Sequence, residues 1–327
     1  MMEFHMNDSG LTLPQRCIPV PSTISPEAQK FLSTPLHRLA APAPPADTEA
    51  WRSYLARRDQ ELQAMLAPLE AYFPAKIAAG RAGAATLYEI TPDAVPAHYK
   101  NCAILYFHGG AYVIGGGRSA ALMALPFAAA TGCKAYACDY RMPPDHPYPA
   151  AVDDAVAAYR QVLGHVKPGD LAVVGSSAGG GLAAAAVLKI RDLGLPLPAA
   201  VVLGSPEVDL TESGDTFQTN CGIDNVLGSL AEVNALYVGG HDLRDPYLSP
   251  VFGDFSKGFP PTMLLSGTRD LFLSNTVILH RALRRANIEA ELHVFEAMPH
   301  GGFRGAPEDQ EAMAEQVRFL QAHLAMK

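Results

Sequence analysis

The stretch Leu171-Ala172-Val173-Val174-Gly175-Ser176-Ser177-Ala178-Gly179-Gly180-Gly181-Leu182 most constrains what this chain can become. An apolar strand runs into a very tight turn, and an alanine-rich helix leaves it through Ala183-Ala184-Ala185-Ala186-Val187-Leu188. Within the turn, Ser177 has Gly175 and Gly179 two positions to either side, the pattern G-x-S-x-G. Turning from strand to helix at one residue strains the backbone, and side chains two positions away would strike the neighbouring strand and helix. Glycine removes those collisions and leaves the serine hydroxyl exposed at a helix N-terminus. That placement suits a nucleophile, and it aims the Ala178 amide where an oxyanion would form. A phosphate-binding loop of similar composition is disfavoured, because no Gly-Lys-Ser/Thr follows Gly180.

Apolar strand-like runs alternate with helical ones on both sides of this turn. Strands are predicted at 85–90, 101–107, 134–139, 171–174, 199–203, 262–266 and 289–296, and helices near 120–130, 149–163, 274–285 and 307–325. Alternation of this kind, with strands apolar throughout, implies an α/β fold whose mostly parallel sheet is covered on both faces. Residues 1–80 differ in character. There the proline-rich Ala41-Pro42-Ala43-Pro44-Pro45 separates a short helix starting at Ser25-Pro26 from a longer one over about 48–69. Trp51, Tyr54, Leu55, Leu62 and Leu66 give the longer helix a packing stripe. Residues 1–80 thus read as a helical cap or arm and 81–327 as the catalytic domain. The polar, irregular segment 207–245, helical near 227–237, interrupts the alternation at the sheet's C-terminal edge and is expected to join the arm as a lid over Ser177.

The partners that a serine nucleophile needs occur in order along the chain. His108-Gly109-Gly110-Ala111 directly follows the strand ending at Phe107, and its paired glycines let the amides of Gly109 and Gly110 approach a bound carbonyl beside that of Ala178. Asp270 lies just past the strand ending at Ser266, and His300 follows the last strand in Met298-Pro299-His300-Gly301-Gly302-Phe303. The order Ser177, Asp270, His300 is the one expected of α/β-hydrolases. His293 sits inside a predicted strand and His280 inside a predicted helix, which suits core or surface roles.

Composition excludes several other functions. A net charge of -8 without a basic block argues against a nucleic-acid partner. No metal-ligand spacing such as H-E-x-x-H occurs, so neither metal nor cofactor is expected. The five cysteines lack C-x-x-C spacing, and Cys102 and Cys138 fall in or beside apolar runs where reduced core thiols are expected. No run reaches 18 apolar residues and the first residues carry no basic or apolar leader, so a cytoplasmic protein without a membrane span is expected.

Five stretches together resemble the hormone-sensitive-lipase-like carboxylesterases of bacteria, within the α/β-hydrolase fold. They are His108-Gly109-Gly110-Ala111-Tyr112, Asp139-Tyr140-Arg141-Met142-Pro143-Pro144-Asp145-His146-Pro147-Tyr148-Pro149-Ala150-Ala151, Gly175-Ser176-Ser177-Ala178-Gly179-Gly180, Asp245-Pro246-Tyr247-Leu248-Ser249-Pro250 and His300-Gly301-Gly302-Phe303. The resemblance implies Ser177 as nucleophile, His300 as base, Asp270 as acid, and Gly109, Gly110 and Ala178 as oxyanion donors. It also implies a small-molecule ester as substrate, of short or medium acyl chain, and a homodimer formed through the last strand and its neighbouring helix. In the Asp139-Tyr140-Arg141 run, Arg-carboxylate contacts are expected to support the oxyanion loop. Tyr112 and Glu207 are the expected substrate contacts.

Three positions depart from the family pattern. Ala111 stands where a third glycine is usual, which the turn tolerates at negative φ, and Ser176 precedes the nucleophile where Asp or Thr is common. Glu207 replaces an aromatic or small residue after Ser205-Pro206; a carboxylate at the pocket mouth would select polar or cationic substrates, unless it faces solvent or a salt-bridge partner. Lactones, amides or acetylated small molecules fit the same triad. A non-catalytic receptor on this fold is disfavoured by the presence of His300, and a dehalogenase or epoxide hydrolase by Ser177 at the turn.

Overall fold

The computed structural model describes residues 5–7, 10–12, 15–34, 45–96 and 99–324. Ala41–Pro44 of the proline-rich stretch, the first four residues and the expected helix end at Ala325 lie outside them. A short antiparallel hairpin, β1 (His5–Asn7) with β2 (Gly10–Thr12), precedes helix α1 (Pro26–Ser33). The Ser25 hydroxyl caps α1 by accepting the Ala28 amide proton at 3.2 Å, and Pro26 takes the first helical position, where its missing N–H costs nothing. Helix α2 (Thr48–Leu66) is capped in the same way by Asp47 and buries Trp51, Leu55 and Leu66 from its stripe. The one-turn helix α3 (Leu69–Tyr72) follows it.

The helical arm ends earlier than expected. Residues 75–82 form β3 (Ala75–Ala82), which pairs antiparallel with β4 (Ala85–Pro92). The sheet-bearing part therefore starts near 75 rather than 81. In Ala75-Lys76-Ile77-Ala78-Ala79-Gly80-Arg81-Ala82 only one residue is β-branched, and the strand lies mostly exposed at the sheet edge. Its existence depends on pairing with β4 and not on its own propensity.

From there strands and helices alternate as expected: β5 (Ala103–Phe107), α4 (Arg118–Thr131), β6 (Lys134–Asp139), α5 (Ala150–Leu163), β7 (Leu171–Ser176), α6 (Ala178–Asp192) and β8 (Ala200–Gly204). The insertion after β8 carries α7 (Thr216–Thr219) and α8 (Ala231–Val238). The chain then returns through β9 (Thr262–Gly267), α9 (Leu273–Arg285), β10 (Ala290–Phe295) and α10 (Pro307–His323).

Eight strands make one sheet in the order β10-β9-β8-β7-β5-β6-β4-β3. It is parallel from β6 to β10, with antiparallel pairings only where β4 joins β6 and β3. Alternate side chains divide cleanly between its faces. Leu105, Phe107, Val173, Val201, Leu203 and Leu264 pack with α5, α6 and α9 on one face. Ile104, Tyr106, Ala172, Val174, Val202 and Met263 pack with α4 and α10 on the other. Strands buried on both faces must be apolar at every position, which is why they were conspicuous in the sequence. Cys102, Cys133 and Cys138 are buried free thiols. Among the described residues no helix is long and apolar enough to cross a membrane.

A third apolar cluster lies over the sheet's C-terminal edge. Trp51 and Leu55 of α2 meet Val113 and Ile114 of the loop after β5, Leu227, Leu230 and Val233 of the insertion, and Leu271 and Phe272 after β9. The helical arm and the insertion thus share one core with the loops around Ser177.

Candidate active site

Ser177 is the single residue between β7 and α6, at φ +58° and ψ -128°. A side chain on Gly175 would put its Cβ 2.1 Å from the Gly179 carbonyl oxygen, and one on Gly179 would put it 2.1 Å from that of Phe107. Neither site admits any other residue without moving backbone. The turn is held from outside as well, because the Ser177 amide donates to the Gly204 carbonyl at the end of β8 at 2.8 Å.

Ser177, His300 and Asp270 come together as one hydrogen-bonded chain. His300 Nε2 lies 2.9 Å from Ser177 Oγ, and His300 Nδ1 lies 3.1 Å from Asp270 Oδ1. Asp270 is fully buried, and its carboxylate also accepts the Ser266 hydroxyl at 2.6 Å and the Phe272 amide at 2.9 Å. Burial alone would raise its pKa, but the His300 hydrogen bond and charge with these other donors outweigh that and hold it below the usual carboxylate value. An ionised Asp270 requires the proton on His300 Nδ1, which leaves Nε2 as acceptor for the serine hydroxyl. Burial alone would lower the imidazole's pKa, yet the Asp270 hydrogen bond and charge, with Asp224 and Glu207 farther off, raise it above the ordinary value.

Across from this chain, the amides of Gly109, Gly110 and Ala178 donate to no protein acceptor among the described residues. Gly110 sits at φ +123°, where a Cβ would lie 2.1 Å from the Ile114 carbonyl oxygen. Ala111 adopts φ +53° and not the negative φ expected of it, followed by Tyr112 at +61°. Two non-glycine residues in the left-handed region mark stored strain in this loop. Its backbone is nevertheless fixed from several sides. Asp59 of α2 accepts the Gly115 amide at 2.7 Å, and Asp139 accepts that of Gly117 at 2.9 Å. The Tyr140 hydroxyl donates to the His108 carbonyl at 2.8 Å, and its ring stacks on the His108 imidazole at 4.1 Å between centroids. Burial lowers the His108 pKa to about 4, so that ring is neutral. The expected Arg141 support is absent: its guanidinium forks onto Asp154 of α5, and Asp139 and Tyr140 hold the loop instead.

The family model described as alpha/beta hydrolase fold matches residues 104–304. An acetyl-hydrolase of Streptomyces hygroscopicus is 38% identical over 208 residues, which cover 62% of this chain and 68% of the relative. Among solved structures, the esterase E25 superposes with a TM-score of 0.90 at 33% identity, covering 97% of this chain and all of that one. An esterase from the bacterial hormone-sensitive lipase family does so with a TM-score of 0.80 at 32% identity, over 92% of this chain and 99% of that one. The chain belongs to the hormone-sensitive-lipase-like family of α/β-hydrolases.

Tyr112 and Glu207, the expected substrate contacts, are both buried in this hydrolase. Tyr112 is 1% exposed, with its ring flat on Tyr237 at 4.0 Å and its hydroxyl donating to the Glu207 carbonyl at 3.3 Å. It packs the wall between the oxyanion loop and α8. Glu207 is also 1% exposed, so it lies at no pocket mouth, faces no solvent and makes no salt bridge. Val208 and Leu210, on the same stretch, are buried with it.

Asp224, in the insertion, went unremarked in the sequence because a lone acid in an irregular segment carries no spacing signal. It is fully buried, and its two oxygens accept amides of Val226, Leu227, Leu271 and His300 at 2.9, 3.1, 2.9 and 3.2 Å. Asn220 likewise donates to the Asp270 carbonyl at 2.8 Å. The insertion therefore fixes the backbones that carry both Asp270 and His300. A narrow cleft between α2, residues 111–114 and α8, lined by Tyr54, Leu55, Arg58, Val113, Leu230 and Val233 among others, does not include Ser177.

Proposed function

We propose that this hydrolase is a serine carboxylesterase acting on esters of short or medium acyl chain. The observation that carries this reading is the chain from Ser177 Oγ through His300 to Asp270, at 2.9 and 3.1 Å, facing the three uncommitted amides of Gly109, Gly110 and Ala178. His300 Nε2 removes the hydroxyl proton as Ser177 attacks the ester carbonyl, and Asp270 holds the imidazole and stabilises its cationic form. The three amides take the negative charge of the tetrahedral intermediate. His300 then protonates the departing alcohol, and water repeats the sequence on the acyl-enzyme.

The acetyl-hydrolase and esterase names of its relatives support the short-acyl reading. So does the apolar cluster over the site, which would cover a bound acyl chain. Hydrolysis of p-nitrophenyl esters from acetate to palmitate, by the wild type and by Ser177→Ala, tests it. Turnover of the short esters that disappears in the variant is the expected result. Activity surviving in Ser177→Ala would remove Ser177 from the mechanism, and a wild type that turns over none of the series would point to an amide or lactone substrate. We also propose a homodimer formed through β10 and α9, where Val277, Ile278 and Val294 are exposed.

A further inference from the structure

Glu207 follows β8 closely, and its amide donates to the Ser177 carbonyl at 3.0 Å, so its backbone is tied to that of the nucleophile. Its carboxylate is buried and within electrostatic reach of His300. Asn234 of α8 comes down from the insertion, 2% exposed, and its carboxamide faces that carboxylate. Neither oxygen of Glu207 and neither polar atom of the Asn234 side chain has a hydrogen-bond partner within bonding geometry. These four buried polar atoms, from two facing elements, have no partner beyond each other. Native interiors satisfy nearly all such groups, so a pair of this kind beside a catalytic serine is open to a polar group brought by substrate or water. The surroundings connect this pair to the reaction. His300, Tyr112, Tyr237, Tyr140 and Glu212 are the titratable groups within electrostatic reach of Glu207, and none of them is a cation at rest while Nε2 of His300 is free to accept.

We propose that Glu207 and Asn234 form a buried polar subsite beside Ser177 and His300 that binds a hydroxyl group carried by the ester substrate. The proposal rests on the esterase reading and deepens it, since it names the substrate class as hydroxylated esters. A hydroxyl suits both partners: it donates to a carboxyl oxygen of Glu207 and accepts from the Asn234 amide. An ammonium group suits them less, because it would shed its water for a carboxyl that burial lifts to about 7. Selection of cationic esters, one of the expectations for this residue, is therefore replaced by selection of neutral hydroxylated ones.

The test compares matched esters that differ in one hydroxyl. Ethyl butyrate against ethyl 3-hydroxybutyrate probes the acyl side, and propyl butyrate against 2-hydroxyethyl butyrate probes the alcohol side. Hydrolysis is followed by pH-stat for the wild type, Glu207→Gln, Glu207→Leu and Asn234→Leu, with each preparation normalised by titrating its reactive serine with a phosphonate ester. On one of the two sides, the hydroxylated-to-plain ratio of kcat/KM is expected to fall about tenfold or more in Glu207→Leu and Asn234→Leu, the scale of one lost hydrogen bond. Glu207→Gln, which keeps shape and an acceptor, is expected to fall between them and the wild type. Ratios unchanged in all three variants on both sides would overturn the subsite while leaving the esterase reading intact. No turnover of any of the four esters by the wild type would overturn the esterase reading, and the subsite with it.

Discussion

In the proposed mechanism His300 works only while Nε2 can accept a proton, and Asp270 raises the pH at which that condition is met. The acid limb of kcat/KM should therefore lie above the ordinary histidine value, with activity falling as pH drops through it. Asp270→Asn removes the charge and no longer holds the imidazole in the tautomer with its proton on Nδ1. It is expected to move that limb to lower pH and to lower kcat by roughly 10⁴-fold; a pH profile of both proteins on one short ester checks the two effects together. Glu207 acts on stability with the opposite pH sense. Its pKa rises from 4.5 to about 7 on burial, so the folded state binds its proton more tightly than the unfolded chain does. The penalty is absent below pH 4.5, grows as pH rises, and is complete above the folded value of about 7. At about 1.4 kcal/mol per pKa unit it reaches on the order of 3 kcal/mol. Glu207→Leu is expected to gain stability over the wild type at pH 8 and little at pH 4, read from urea unfolding midpoints at the two values.

Among the elements, α2 carries more of the site than its distance along the chain suggests. Asp59 reaches from it to the Gly115 amide, at the end of the strained loop that begins with Gly109 and Gly110. Asp59→Ala should leave that amide without its partner, loosen the loop and lower kcat on short esters about tenfold, with a smaller change in KM. Steady-state kinetics separates the two. How much of this was readable beforehand follows from the same physics. Strands β5 to β9 announced themselves because two buried faces demand apolar residues throughout, and Ser177, Asp270 and His300 because strand ends and glycine punctuation frame them. The strand β3 did not, because its alanines, glycine and basic residues sit on an exposed edge where pairing decides the structure. Nor did Asp224 or the burial of Glu207: in each case a charged residue is taken inside by contacts from elements far away in sequence, and no local pattern records them. The strain at Ala111 was hidden for a related reason, since several long-range hydrogen bonds around the loop, and not the residue itself, set its φ.

At the scale of the whole molecule, β10 closes one side of the sheet, and no strand among the described residues pairs with its outer edge. An open, partly apolar edge is a template for a second strand. If it is the dimer contact proposed above, Val294→Lys should shift the protein to monomers in sedimentation velocity while Ser177 remains reactive. Just past the end of β10, the arm is fastened to the last helix. Ser25, the cap of α1, donates from both its amide and its hydroxyl to the Glu308 carboxylate in the first turn of α10, each at 2.7 Å. Ile24 and Ala28 pack on Ala297, Met298, Phe303 and Ala306, the residues that flank His300.

That clasp has a bearing on how the protein is made. Its two halves are separated by 283 positions, so at about 5–20 residues per second the first waits on the order of 15–60 s for the second to leave the ribosome. During that interval Ile24 and Ala28 have no surface to cover, and the loop that will carry His300 does not yet exist. The arm is thus made long before the surface that seats it, and is among the last parts of the fold to be covered.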